Sequence, residues 1–122
     1  MDTPRKTLLI VDDEPQVLDV LSSLLTRAGY VPLVADGPVT ALELVAEHTV
    51  DGMILDMHLP GLAGMELLTL LRSPATRFTP AIAITGDSSI DADEIRAHGF
   101  VDLLLKPFTP SELRRVVESN IG

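Results

Sequence analysis

The chain has 122 residues, 46% of them hydrophobic and none of them cysteine, and its formal net charge is −9. This composition predicts one globular domain without disulfides or thiolate metal sites. The negative charge disfavours contact with nucleic acid or anionic lipid, and no apolar run is long enough to cross a bilayer or to form a signal-peptide core, so we expect a cytoplasmic protein that binds neither DNA nor membrane.

Short apolar runs alternate with longer amphipathic stretches along the chain. Strands are predicted over residues 7–11, 31–35, 53–56, 81–85 and 101–105. Helices are predicted over residues 17–28, from 38 onward, over 64–72 and 90–98, and from 110 onward. The start of the last helix is well marked, because Thr109 and Glu112 form a capping-box pattern and Pro110 suits the first helical position.

Five strand–helix repeats predict an α/β fold, in which a parallel sheet is covered by helices on both faces. Right-handed crossovers leave few topologies, and the doubly wound strand order 2-1-3-4-5 is a common one. Pro32 supports this order, because a residue without a backbone N–H is tolerated at a sheet edge and the second strand lies there.

Polar residues stand at the carboxyl ends of four of the predicted strands. They are Asp12-Asp13-Glu14, Asp56, Thr85-Gly86-Asp87 and Lys106-Pro107. Taken singly, each has an ordinary explanation; Asp13, for instance, could cap the helix that begins near Pro15. Their shared place at one edge of the sheet, where doubly wound folds bind ligands, favours a functional site.

Three carboxylates that converge need a cation between them, and oxygen ligands of this kind select Mg²⁺, or Mn²⁺, where phosphate is handled. Lys106 would add a positive charge for a phosphoryl oxygen, and Thr85 would add a hydroxyl group. The set therefore predicts phosphoryl transfer to a carboxylate, in which catalysis is mostly positioning and charge neutralisation.

Five motifs in this order resemble the receiver domain of two-component response regulators, a CheY-like domain with a flavodoxin-like (βα)5 fold. The motifs are Val11-Asp12-Asp13-Glu14, Asp56-Met57-His58-Leu59-Pro60-Gly61, Gly64, Ile84-Thr85-Gly86 and Leu105-Lys106-Pro107-Phe108. The resemblance covers almost the whole chain, and it implies one receiver domain over residues 1–122 with a core over about 7–120.

The resemblance also implies an acceptor and a metal site. Asp56 would accept a phosphoryl group from the phosphohistidine of a sensor histidine kinase or of a histidine phosphotransfer protein. Asp13 and Asp56 would bind Mg²⁺ through their side chains, Asp12 would bind it largely through water, and the backbone carbonyl of His58 would supply a further ligand.

Other roles implied by the resemblance concern the phosphoryl group and the backbone. Thr85 would hydrogen-bond the phosphoryl group and move towards it on activation, and Lys106 would pair with a phosphoryl oxygen. Pro60, Gly64 and Pro107 would be structural residues. The Lys106–Pro107 bond would be cis, which the weak trans preference of X-Pro bonds allows.

The chain departs from the usual receiver pattern at one switch position. Most receivers have an aromatic residue three positions before the lysine, whereas this chain has Leu103. Leu103 is most simply a core residue; alternatively, the aromatic readout is lost and Thr85 with its loop relays phosphorylation. His58 and Asp87, two residues after Asp56 and Thr85 respectively, could each act on the water that attacks the acyl phosphate, although both also suit an exposed loop.

Three other functions fit parts of the pattern. A phosphatase of the haloacid-dehalogenase type needs a second aspartate two residues after its nucleophile, where this chain has His58. A nucleotide or flavin module needs glycines and amides after the first strand, where Asp12-Asp13-Glu14 would repel phosphate. A pseudo-receiver, which keeps the fold as a phosphorylation-independent interaction module, is the runner-up because of Leu103.

We therefore predict a phosphoacceptor that catalyses its own phosphorylation and dephosphorylation but is not an enzyme acting on an external product. Its downstream protein target would contact the fourth helix, fifth strand and fifth helix, and the receiver would be a monomer or a phosphorylation-dependent dimer. No output domain is expected after the last helix, so the chain would act alone by protein contact or would be a receiver excised from a hybrid kinase or a longer regulator.

Overall fold

Strands and helices alternate in a computed structural model that describes residues 4–62 and 65–122. The strands are β1 (Thr7–Val11), β2 (Val31–Ala35), β3 (Gly52–Asp56), β4 (Ala81–Thr85) and β5 (Asp102–Leu105). The helices are α1 (Pro15–Arg27), α2 (Pro38–Glu47), α3 (Glu66–Leu71), α4 (Ala92–Ala97) and α5 (Pro110–Asn120). All neighbouring strands are parallel, in the order β2-β1-β3-β4-β5, which confirms the predicted doubly wound sheet.

The sheet has a hydrophobic core on each face, because successive side chains of a strand point to opposite sides. On one face, residues such as Leu9, Leu55 and Ala83 pack with α2, α3 and α4. On the other face, residues such as Ile10 and Ile54 pack with α1 and α5. The central strands β3 and β4 are buried along their whole length, which explains why their sequences are continuous apolar runs.

The edge position predicted for Pro32 is confirmed, since β2 pairs only with β1. The N–H of Val31 donates to the Lys6 carbonyl at 2.9 Å, so Val31 faces β1. Successive peptide groups of a strand face opposite sides, and the nitrogen of Pro32 therefore faces away from the sheet. Proline at this place removes no hydrogen bond from the β1–β2 ladder.

Helix boundaries differ modestly from the predicted ones. The fourth helix, predicted over 90–98, is shorter and runs from Ala92 to Ala97, because the side chain of Asp91 caps it by accepting the N–H of Asp93 at 2.9 Å. The third helix runs from Glu66 to Leu71, and its predicted start at Gly64 lies outside the described residues. None of the helices in the described part of the chain is long and apolar enough to cross a membrane.

Gly52 allows the end of α5 to lie close to β3. A methyl group built on this residue would be 2.4 Å from Cδ1 of Ile121 and 3.0 Å from Cδ2 of Leu8. We expect Gly52→Ala to lower the free energy of unfolding by about 2 kcal/mol, as measured by urea denaturation, because the core would be overpacked.

Gly86→Ala is the matched control for this prediction, because nothing lies within 4 Å of a methyl group there. The loss caused by Gly52→Ala should shrink when Ile121→Ala provides space in the same molecule. Equal losses for the two glycine variants would show that the close contact with Ile121 is not the cause.

Candidate functional site

The structure brings the predicted polar residues together at the carboxyl edge of the sheet. Asp12 directly follows β1, Asp56 ends β3, Thr85 ends β4 and Lys106 directly follows β5. Backbone hydrogen bonds continue the sheet to this edge, since the N–H of Lys106 donates to the Thr85 carbonyl at 2.7 Å and the N–H of Asp12 donates to the Ala35 carbonyl at 3.2 Å. Four side chains from four strand ends therefore have fixed positions around one point.

The carboxylates of Asp12, Asp13 and Asp56 form an acidic cluster. Each offers one oxygen, and these oxygens lie within 4.8 Å of one another. Asp12 and Asp56 are buried, whereas Asp13 is exposed, so the cluster opens to solvent on the Asp13 side. Negative charges at this spacing repel strongly unless a cation neutralises them.

Lys106 supplies positive charge to this cluster. Its Nζ lies 2.8 Å from Asp12 Oδ2, 3.1 Å from Glu14 Oε1 and 3.7 Å from Asp56 Oδ2. Burial lowers the pKa of the Lys106 ammonium, but hydrogen bonds and charge attraction from these carboxylates outweigh burial and leave its pKa raised. The ammonium therefore stays charged at neutral pH and lies beside the carboxylates of Asp12, Glu14 and Asp56.

Asp12 has one carboxylate oxygen satisfied and one available. Its Oδ1 accepts the N–H of Glu14 at 2.9 Å. Its Oδ2 is buried and, among the residues that the structure describes, has the Lys106 ammonium as its close polar neighbour without a hydrogen bond of good geometry. A buried oxygen of this kind, with two further carboxylates beside it, is the donor set that a hard divalent cation prefers. The described residues thus fit a divalent metal.

The alternative role of Asp13 as a helix cap is wrong. The residue at the N-cap of α1 is Glu14, whose side chain makes no capping hydrogen bond, and Pro15 is the first helical residue. Because Pro15 has no N–H, one of the unpaired donors of the helix start is removed without a cap. The Asp13 carboxylate is therefore left to the acidic cluster.

Asp56 is a buried carboxyl group with a raised pKa. Burial is the largest cause; the N–H of His58, which donates to Oδ1 at 3.0 Å, lowers the pKa, and the charges of Asp12 and Asp13 raise it. Lys106 also lowers it, but not enough to cancel the other effects. At neutral pH the ionised Asp56 therefore destabilises the metal-free fold relative to the unfolded chain.

We expect Asp56→Asn to raise the melting temperature at pH 7 in EDTA by about 4 °C, which corresponds to roughly 1 kcal/mol in a domain of this size. Because the pKa of Asp56 in the folded chain lies above its ordinary value of 3.8, ionisation of this carboxyl group lowers the stability of the fold as the pH rises through the folded pKa. The advantage of the Asn variant should therefore be absent near pH 3.5 and should grow towards pH 7. Thermal melts over about pH 3.5–7 measure it, and a constant difference between the two proteins would contradict it.

Thr85 has two hydrogen-bond partners at this edge, and it is fully buried. Its Oγ1 accepts the N–H of Asp87 at 3.0 Å and lies 2.7 Å from Nε2 of His58. Asp87 itself is exposed, and hydrogen bonds from the hydroxyl and the N–H of Ser89 lower its pKa. Two of the residues predicted to modulate the site, His58 and Asp87, thus both contact Thr85.

The remaining predicted residues lie around this centre. The Lys106–Pro107 bond is cis, as the resemblance implied. Leu103 is partly buried and packs against the core that α2, α3 and α4 share, which agrees with a core residue. Pro60 is exposed in the loop after β3, next to Gly61 with φ of 72°. Gly64 lies outside the described residues, so its structural role stays a prediction.

Two features of the site were not predicted. Glu14 was placed at this edge but given no role, whereas it shares the Lys106 ammonium with Asp12. The available signal was a third acidic residue directly after Asp12-Asp13. The contact between His58 and Thr85 was also missed, because residues 27 positions apart have no local pattern that predicts it.

Comparisons with known proteins agree with this geometry. The family model of the response regulator receiver domain matches residues 8–118. The transcriptional regulatory protein KdpE of Mycobacterium tuberculosis is 37% identical over 117 residues, which cover 93% of this chain and 51% of KdpE. The chain spans about half the length of the first curated relatives that it matches.

The chain has the same fold as solved response regulator and receiver domain structures, which it matches over nearly their whole length. The chemotaxis response regulator CheY4 of Vibrio cholerae matches with a TM-score of 0.87 and 28% identity, over 95% of this chain and 98% of that one. The receiver domain of a sensor histidine kinase from Pseudomonas aeruginosa matches with a TM-score of 0.85 and 27% identity, over 98% of this chain and 99% of that one, and it holds a magnesium ion in its active site cleft. Fold, acidic edge and family match point the same way: this chain belongs to the receiver domains of response regulators.

Proposed function

We propose that Asp56 is the phosphoacceptor of a two-component phosphorelay and that its phosphorylation switches the conformation and the partner binding of this domain. One observation carries the proposal. The Asp56 carboxylate is held at the end of β3, within 4.8 Å of oxygens of Asp12 and Asp13 and 3.7 Å from the Lys106 ammonium. This arrangement supports transfer to a carboxylate, because it combines a positioned nucleophile with ligands for a cation and a fixed positive charge.

Asp12, Asp13, Asp56 and the backbone carbonyl of His58 would hold a divalent metal ion, Mg²⁺ or Mn²⁺. When bound, such an ion neutralises negative charge on the carboxylates and on phosphoryl oxygens. Its ligands here are supplied by β1 and β3, neighbouring strands in the centre of the sheet. A rigid sheet edge keeps these ligands in place before the phosphodonor arrives.

In the transfer step, an oxygen of ionised Asp56 attacks phosphorus in line with the leaving group. The new O–P bond forms as the N–P bond of a phosphohistidine breaks, and the electron pair of that bond returns to the leaving imidazole. Lys106 pairs with a phosphoryl oxygen, for which it is already placed beside Asp56. Thr85 donates its hydroxyl hydrogen to another phosphoryl oxygen. Water then hydrolyses the acyl phosphate, which restores the Asp56 carboxylate and releases inorganic phosphate.

A sensor histidine kinase or a histidine phosphotransfer protein would be the phosphodonor, and a protein target would bind the face formed by α4, β5 and α5. Val101 and Leu105 support this output face, since both are apolar and about 40% exposed there. The domain would be a monomer or a phosphorylation-dependent dimer. A cytoplasmic location belongs to the same proposal.

Intact mass spectrometry after incubation with acetyl phosphate and Mg²⁺ tests the proposal. We expect one phosphoryl group per chain, and none when EDTA replaces Mg²⁺. If neither this adduct nor a complex with beryllofluoride and Mg²⁺ forms, the domain is instead a phosphorylation-independent interaction module. Leu103 gives that alternative no support, because it packs as an ordinary core residue.

A further inference from the structure

The contact between His58 and Thr85 links the loop after β3 to the end of β4. His58 Nε2 and Thr85 Oγ1 are 2.7 Å apart, a normal hydrogen-bond distance for these atoms. We propose that His58 is a positioning residue that keeps the Thr85 hydroxyl hydrogen away from the phosphoryl position, so that phosphorylation of Asp56 must break this hydrogen bond. The inference rests on the proposed function. It implies that the His58 side chain destabilises the phosphorylated conformation relative to the unphosphorylated one.

The burial of the two residues decides which of them donates. Thr85 is fully buried, whereas His58 is exposed to solvent. Besides His58, the hydroxyl oxygen has only the Asp87 N–H as a partner among the described residues, and that N–H is itself a donor. A buried hydroxyl hydrogen needs an acceptor, and Nε2 is the one in reach. Thr85 therefore donates to Nε2.

A threonine hydroxyl has one hydrogen to donate. As long as that hydrogen bonds to His58, Thr85 has none for a phosphoryl oxygen. The N–H of Asp87 occupies one lone pair of the same oxygen and keeps it in place while the hydrogen changes partner. The two acceptors, His58 Nε2 and the phosphoryl oxygen, therefore compete for a single hydrogen.

The surroundings of His58 let its ring leave Thr85 without disturbing the core. An open cleft adjoins the ring, lined among others by Met57, Met65, Ile90 and Glu94. The backbone of His58 stays anchored, because its N–H donates to Asp56 Oδ1 at 3.0 Å. Release of the ring would thus move the His58 side chain from the sheet edge into a cleft beside the start of α4. Phosphorylation of Asp56 would in this way affect α4, which is part of the proposed output face.

Affinity for beryllofluoride in the presence of Mg²⁺ tests this competition, since the complex resembles a phosphorylated aspartate. His58→Phe keeps a ring but removes the acceptor, and we expect it to tighten binding about fivefold, the effect of one hydrogen bond that no longer has to be broken. His58→Gln restores an acceptor oxygen at similar reach, so it should bind as the wild type does. His48→Phe, a change at an exposed histidine at the end of α2, should also leave the affinity unchanged.

The same measurements in a Thr85→Ala background decide whether the hydroxyl is involved. There, His58→Phe should have no effect on affinity, because the variant lacks the Thr85 hydroxyl hydrogen for which the two acceptors compete. Tightening that persists without the hydroxyl, or no tightening in either background while the wild type binds, would overturn this inference alone. Absence of any complex, in the wild type and all variants, would overturn the proposed function and this inference with it.

Discussion

Asp56→Asn should carry no phosphoryl group after incubation with acetyl phosphate and Mg²⁺, whereas the wild-type chain should gain one. An amide has no anionic oxygen to attack phosphorus. Asp56 ends β3 and lies 3.7 Å from the Lys106 ammonium. Asp12 also contacts that ammonium but is fully buried, and Asp13 is exposed. We therefore expect loss below the detection limit of intact mass spectrometry rather than a partial decrease.

The control for this loss is Asp93→Asn. It removes the same charge from a side chain that is 94% exposed on α4, away from the acidic edge. Its phosphoryl uptake should equal that of the wild type. An adduct that forms on Asp56→Asn at the wild-type rate would place the acceptor elsewhere and would contradict the proposed role of Asp56.

Lys106→Met should change two measurements in opposite directions. Phosphoryl uptake from acetyl phosphate should slow by about 10²-fold, because a fixed positive charge for the transferring group is lost. Mg²⁺ should bind about tenfold more tightly, which corresponds to ~1.4 kcal/mol, because the ammonium 2.8 Å from Asp12 and 3.7 Å from Asp56 no longer repels the metal. Single-turnover mass spectrometry and isothermal titration calorimetry measure the two effects.

Arg115→Met serves as the charge-matched control, since it removes one positive charge from an exposed position of α5. Both the uptake rate and the Mg²⁺ affinity should stay at wild-type values. If Lys106→Met weakened Mg²⁺ binding, the ammonium would be supporting the ligands instead of competing with the metal, and the proposed arrangement would need revision.

The strands were the easiest part of the fold to predict from the sequence. β1, β2 and β4 have the predicted bounds, because each is a short, mainly apolar run that ends directly before Asp12, Asp36 or Gly86. Pro32 indicated that β2 lies at the edge of the sheet, because proline has no backbone N–H to donate to a second neighbouring strand. The start of α4 was harder to predict, because Asp91 and Asp93 both favour helix caps and turns. In the structure, Asp91 is the N-cap of this helix.

The site was predicted as a set of strand ends, and its finer contacts were not. The convergence of Asp12, Asp56 and Lys106 follows from parallel strands alone, since their carboxyl ends meet at one edge. The choice of Glu14 as a second partner of Lys106 depends on how the chain turns into α1, and sequence spacing does not encode that turn. The His58–Thr85 contact depends on the path of a loop, which has no periodic pattern to read.

Pro32 also bears on the behaviour of this protein at high concentration. An edge strand presents a row of unpaired backbone groups, with which a second chain can pair and from which fibrils can grow. In β2, Val31, Leu33 and Ala35 direct their N–H groups towards β1, and proline removes one of the two outward donors. Only Val34 can then offer an outward N–H within β2, so a strand added at this edge would gain a poor ladder. Crowded copies of the domain are thereby discouraged from joining sheet to sheet on the side where Val31 and Val34 are exposed.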